Sequence, residues 1–367
     1  MLTDFIPRFL ENKTALEYQM TVAEMVARIQ DSHGFVTGLR NLDPHLGTFA
    51  PPVRLASAGG RLAVVGLLEA AAGIEVGDLV LTIDGEGVEQ RIAKLSKYRA
   101  LSTRQSAYAF IYPTALRGAK DSKVRLRLEG KDGQIREVEL VRTVSIGSVA
   151  GMLQRKGPVH RVLPTGYGYV DLSRLVMEDA HKAMDALLKT PAIIFDMRGY
   201  PNGTAWGVAP RLAERTNVTA ALFRRPFWAA TEYRAEDSGG VAPQYSFEQK
   251  LPPAQGAIYK GKVVMLINEF AISQAEHTCL FFEAATDVTF VGSPTDGANG
   301  DVTNMVLPGG IYVSFTGHDV RHADGRQLQR VGIQPHIRVE PSAEGIREGR
   351  DEVLEAAEKF LDRFRKQ

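Results

Sequence analysis

Apolar and polar positions change their period twice along the chain. From Thr14 to Gln30, "TALEYQMTVAEMVARIQ" places Leu16, Met20, Val22, Met25, Val26 and Ile29 at three- and four-residue spacings, which predicts an amphipathic helix. The opening "MLTDFIPRFLENKTALEYQ" already reads as mid-domain helix, as though an N-terminal portion were missing. The proline-bearing "DPHLGTFAPP" (43–52) then breaks regular structure and predicts a junction. Beyond it, "VRLASAGGRLAVVGL" predicts two short strands around Gly59-Gly60. "AGIEVGDLVLTIDGEGV" predicts a helix end, a glycine turn, a strand and an Asp-Gly hairpin, and "SKVRLRLEGKDGQIREVELVRT" (122–143) a last hairpin turned at Lys131-Asp132-Gly133.

After residue 145 strands alternate with helices. "GYGYVDLSRL" leads into the helical "MEDAHKAMDALLKT", then come the apolar strand "AIIFDMRG" (192–199), a further helical region, the strand "KVVMLINE", a helix from Ser273 and the strand "DVTFVG". Buried strands separated by helices predict an α/β layer architecture with a largely parallel sheet. Active sites in such sheets lie at the carboxyl ends of strands, where "FDMRGYPNG" and "NEFAISQAE" sit. The expected organisation is a helical segment over 1–48, a β-rich unit over 49–145 and an α/β core over 146–367.

Composition narrows the partners. Lys and Arg total 44 against 43 for Asp and Glu, a net charge of +1, so no overall field gathers nucleic acid or anionic lipid. The expected partner is a polypeptide or a small molecule, and self-association into a homo-oligomer stays open. One cysteine, Cys279, excludes an internal disulfide and a multi-cysteine metal site. The eight histidines have no metal-ligand spacing and no phosphate loop is present, so neither metal nor cofactor is expected. No window is apolar enough for a membrane span, and no basic region leads into an apolar run as in an export signal. The compartment is left unknown.

Ser273 is the first candidate for chemistry. It follows an apolar strand and opens "SQAEHTCLFFEAA", where helix N–H groups and the dipole favour a developing oxyanion. The same serine also reads as a plain N-cap, with Glu276 three residues on completing a capping box. A serine nucleophile needs a base, and His33 in "QDSHGF" is the best placed histidine, although a helix-end imidazole is the alternative. In "FDMRGYPNG" a rigid turn after a buried strand could aim an N–H beside that of Gln274 into an oxyanion hole, or Asp196 and Arg198 could form a structural ion pair. Cys279, six residues into the helix, reads as inert core.

These pieces resemble known families. "EAAAGIEVGDLVLTIDGEGV" resembles the circularly permuted PDZ domain of bacterial proteases, which implies capture of a substrate tail. "YGYVDLSRL", "IIFDMRGYPNG", "VVMLINEFAISQAEHT", "VGSPTDGANG", "LPGGIYVSFTG" and "DGRQLQRVGIQPHIRV" stand in the order seen in tail-specific (C-terminal-processing) serine peptidases and their tricorn-core relatives. The resemblance implies a crotonase-like (ClpP/crotonase) α/β core with an inserted PDZ domain. It also implies Ser273 as nucleophile and oxyanion donors at Gln274 and at Gly203, with Gly199 second. Relatives are often exported. Members with a Ser/Lys dyad carry lysine where this chain has Ala298, so the resemblance points to the tricorn-like Ser/His subtype with Ser32 and His33. That subtype has a glutamate where this chain has Gln329, which could orient an imidazole through its amide oxygen but not by charge. Glu340 is another acid to consider. The expectation is a serine endopeptidase, with a catalytically weak or inactive peptide-binding scaffold as the alternative and a small-ester hydrolase as a third reading.

Overall fold

A computed structural model describes residues 1–70, 72–150, 155–226 and 244–365. Its centre is a six-stranded sheet in the order His160–Val162, Gly168–Asp171, Ala192–Asp196, Lys262–Ile267, Val288–Gly292, Ile337–Arg338. The first pair is antiparallel and every later pair is parallel. Side chains alternate between faces, and here both faces are covered. Ile193, Phe195, Val263 and Met265 pack toward helices Met177–Leu187 and Gln274–Ala285. Ile194, Val264 and Leu266 pack with Val353, Ala357 and Leu361 of the C-terminal helix Glu352–Arg365. That double burial is why these strands read as continuous apolar runs.

A second six-stranded antiparallel sheet holds Val53–Ala58, Arg61–Leu67, Leu79–Ile83, Glu86–Gly87, Lys123–Glu129 and Ile135–Val141, and has its own core around Leu62, Val64, Val124, Leu126 and Leu128. Its Asp84-Gly85 turn has φ of 52° and 80°, the double left-handed geometry of a two-residue hairpin. The helix end expected at the start of "AGIEVGDL" is absent among the described residues: a turn stands there, and residue 71 lies outside them. Helix Val88–Ser96 is an element the pattern did not announce. Phe49–Ala50 pairs with Val144–Ser145, so this unit leaves and rejoins the rest of the chain at one place.

The N-terminal periodicity resolves into two helices, Leu2–Glu11 and Ala15–Ala27, the second closed by a capping box between Thr14 and Glu17. Val22, Ala23 and Val26 pack against Ala100, Ile311 and Val313. Strand Val36–Thr37 then pairs antiparallel with Ile311–Thr316. This pairing carries the beginning of the chain to a hairpin nearly 280 residues downstream.

Candidate active site

Strands Ala192–Asp196 and Lys262–Ile267 are parallel neighbours, with Asp196 opposite Leu266, so the turns that follow them emerge at the same edge. After the second strand the chain runs through "NEFAI" to Ser273, whose φ of 58° and ψ of −118° lie outside the helical and extended basins. A sharp strand-to-helix corner of this kind can present a side chain at the top of a sheet. Ser273 Oγ makes no capping bond. The capping box read from Ser273 and Glu276 is therefore not formed, because the Glu276 carboxylate has better partners. It is fully buried and accepts from Thr295 Oγ1, from Gly297 N at 2.8 Å and from Ala298 N at 2.9 Å. Burial, with Asp296 alongside, raises its pKa to about 8.

Loop 295–299, buttressed by Glu276, joins the distant parts of the site. On one side Ser273 N donates to Ala298 O at 2.8 Å and Asp296 N to Ala271 O at 3.0 Å. On the other, Ser32 Oγ donates to Asp296 Oδ1 at 3.1 Å, and Asn299 N donates to Gln329 Oε1 at 3.2 Å. Gln329 Nε2 in turn lies 3.4 Å from Asp31 Oδ1. The serine corner and the "DSHG" segment thus grip one five-residue loop, despite the 240 residues between Ser273 and His33.

His33 is buried, and its Nδ1 lies 2.9 Å from Thr316 Oγ1. Desolvation holds its pKa below the ordinary imidazole value, against the pull of the Asp31 charge. Gln329, expected to orient His33, meets Asp31 and Asn299 instead. Ser32 is tied to Ser106 Oγ, Asp296 and the backbone of Ser102, so it anchors the segment. Glu340 pairs with Arg338 at 2.9 Å and borders a different cleft, of about 750 Å³, between the β-rich unit and the core. Among the described residues no hydrogen bond joins Ser273 Oγ to His33.

The glycine turn separates the two oxyanion candidates. Gly199 N donates to Met197 O at 2.8 Å, so that N–H is spent. Gly203 has φ of 74°, which favours glycine, and its N–H has no backbone acceptor among the described residues. Gln274 is the first residue of its helix, so its N–H lies outside the helix ladder. Asp196 and Arg198 do form a buried ion pair, at 2.6 Å, extended to Asp351 at 2.7 Å.

His277 is a neighbour the sequence reading passed over. One turn along from Ser273, it has Nδ1 3.4 Å from Asn299 Nδ2, Nε2 against Gln249 Oε1, and a ring stacked on Trp206. Burial lowers its pKa to about 4, and with both nitrogens engaged it serves as packing. A buried histidine at i+4 from the serine was visible in "SQAEH", but its surroundings were not. Of the others, His318 lies 3.1 Å from Asp301, His322 pairs with Glu283 and His336 accepts from Phe290 N, while His160 sits on the edge strand and His45 and His181 on helices. The Cys279 thiol is buried, and burial pushes its pKa upward. Among the described residues no three metal-ligating side chains cluster, and no helix is long and apolar enough to cross a membrane.

Comparison with known proteins bears on the fold that carries this geometry. Residues 166–339, a little under half of the chain, match the sequence profile of Peptidase family S41. A Chlamydia trachomatis serovar D protein is 31% identical over 123 residues, 32% of this chain and 20% of its own length. An uncharacterised Chlamydia muridarum protein is 29% identical over a stretch of the same length. The chain thus matches about a fifth of the length of these curated relatives. The fold extends further. A crystal structure of mature CPAF superposes with a TM-score of 0.74 at 16% identity, over 98% of this chain and 90% of that one. Mature CPAF complexed with lactacystin gives 0.73 at 17% identity, over 98% and 91%.

Proposed function

We propose that the chain is a serine endopeptidase of the tail-specific, tricorn-like Ser/His kind, acting on polypeptides through an acyl-enzyme. The observation that carries this reading is the backbone of Ser273. A side-chain-bearing residue held at φ 58° and ψ −118° at the carboxyl end of a buried parallel strand stores strain that a mere cap would not need.

In this reading His33 Nε2 takes the proton of Ser273 Oγ as the oxygen attacks the scissile carbonyl carbon. The carbonyl π pair moves onto its oxygen, which the N–H groups of Gln274 and Gly203 hold. Collapse breaks the C–N bond, and the leaving amine takes the proton from the imidazolium. Water, giving its proton to the same imidazole, then attacks the ester carbon, and collapse breaks the C–Oγ bond as the imidazolium returns that proton to Ser273 Oγ. A peptide tail would add to the β-rich unit over 49–145, read as a PDZ domain inserted in a crotonase-like core. Ser273→Ala is expected to abolish hydrolysis of unfolded protein and labelling by a fluorophosphonate probe, with unchanged circular dichroism. Sustained cleavage by that variant removes the assignment.

A second reading, a peptide-binding scaffold without turnover, is favoured by the amide at Gln329 and by the lack of a direct bond between Ser273 and His33. Nucleophile and base contacts are commonly long before substrate binds, which weakens the second observation. Probe labelling that His33→Ala eliminates rejects the scaffold.

A further inference from the structure

An imidazole acting as base at Nε2 must carry its proton on Nδ1, and something must hold it there. Gln329 does not reach the ring. What reaches it is Thr316 Oγ1, 2.9 Å from His33 Nδ1. The Thr316 hydroxyl has one proton, and it lies 2.8 Å from Asp31 Oδ1, which can only accept when ionised. Both contacts are hydrogen bonds in one arrangement: His33 Nδ1–H donates to Thr316 Oγ1, and Thr316 O–H donates to Asp31. The carboxylate is itself fixed. Its Oδ2 accepts from Thr316 N at 2.7 Å, and Oδ1 also accepts from His33 N at 3.1 Å and faces Gln329 Nε2 at 3.4 Å. Every hydrogen-bond partner of the carboxylate is a donor, and the charged neighbours that act on it and on His33 are the Arg99 guanidinium and, across the segment, the Asp296 carboxyl. Asp31 is buried, and one wall of a cavity of about 410 Å³ is formed by Asp31, Thr316 and Gln329.

We propose that Asp31, acting through the Thr316 hydroxyl, sets the tautomer and orientation of His33, with Gln329 holding Asp31 in place. The proposal rests on the reading of Ser273 and His33 as nucleophile and base. It accounts for an amide at 329: with a carboxylate already within reach of Gln329 Nε2, a second negative charge there would repel it, whereas an amide donates to it. The competing account makes Asp31 a turn residue that only ties 31–34 to strand Ile311–Thr316. The two differ in what they do to the pH dependence.

Steady-state kinetics on an unfolded protein substrate test it, with Ser273→Ala as the floor. Thr316→Val keeps the shape and removes the relay, so kcat should fall on the order of 10²-fold with KM nearly unchanged. Thr316→Ser restores the hydroxyl and should restore kcat. Asp31→Asn removes the charge that favours the imidazolium, so the acid limb of kcat/KM should move to lower pH as kcat falls. Wild-type kcat in Thr316→Val overturns the relay, as does an unmoved acid limb in a folded Asp31→Asn. If Asp31→Asn unfolds, the valine and serine pair decides: equal activity in the two overturns the proposal. Turnover that survives Ser273→Ala instead overturns the peptidase reading itself, so the two failures are separable.

Discussion

Ser273 and Asp31 teach opposite things about single residues. The "S-x-x-E" spacing at Ser273 fits a capping box and an active-site corner equally well, and the capping box is ruled out by where Glu276 finds its donors, about twenty residues away in loop 295–298. Nothing local could announce that. The backbone at Ser273 also has a measurable consequence. Holding a Cβ at φ 58° and ψ −118° costs about 1–3 kcal/mol, a strain that alanine keeps and glycine escapes. Ser273→Gly should therefore unfold at higher denaturant than Ser273→Ala, by about 1 kcal/mol after allowance for the greater freedom of unfolded glycine. Equal stabilities would mean that the corner is unstrained. Asp31, by contrast, stood in plain view in "DSHG", but its partner Thr316 is 285 residues away, and nothing within "LPGGIYVSFTG" marks that threonine as the one that meets Asp31.

Elements were legible where burial was two-sided. Ala192–Asp196 and Lys262–Ile267 appear as apolar runs because both faces of the central sheet are covered, and helix Met177–Leu187 appears because one face alone is. The hairpin Val302–Leu307 and Ile311–Thr316 was not foreseen. Its first strand is almost wholly exposed, so no apolar alternation marks it, and the two-residue strand Val36–Thr37 that completes the sheet is too short for any period. Helix Gln274–Ala285 shows how one element organises the site. Its Glu276 supplies the only acceptor among the described residues for Gly297 N and Ala298 N, the groups that shape the loop receiving Ser273 N. Glu276→Ala would bury both amides without a partner, at about 1–3 kcal/mol each. We expect a loss of about 2–5 kcal/mol by chemical denaturation, with probe labelling of Ser273 reduced in the protein that remains folded. A loss under 1 kcal/mol would show that water or a local shift replaces the carboxylate.

At the scale of the whole molecule, the β-rich unit and the α/β core are joined by polar contacts beside the proposed base as well as by chain connectivity. Ser32 N donates to Ser102 Oγ at 2.8 Å, Ser102 N donates to Ser32 Oγ at 2.9 Å, and Ser32 Oγ meets Ser106 Oγ at 3.2 Å and Asp296 Oδ1 at 3.1 Å. Thr103 Oγ1 adds a bond to Asp296 O at 2.9 Å. The Ser32 bonds lie one residue from His33, and the Thr103 bond is made to the loop that receives Ser273. Two contributions of the β-rich unit can therefore be separated. Capture of a peptide tail would appear in KM for long substrates alone. Support of the "DSHG" segment would appear in kcat for every substrate, including a small ester that cannot reach the sheet edge. The paired change Ser102→Ala and Ser106→Ala removes the second contribution and leaves the sheet intact. It should lower kcat about tenfold or more on both ester and protein, because a base displaced by a fraction of an ångström loses its line to the serine. If only KM for the protein substrate changes, the β-rich unit acts on binding alone and the polar junction has no part in positioning His33.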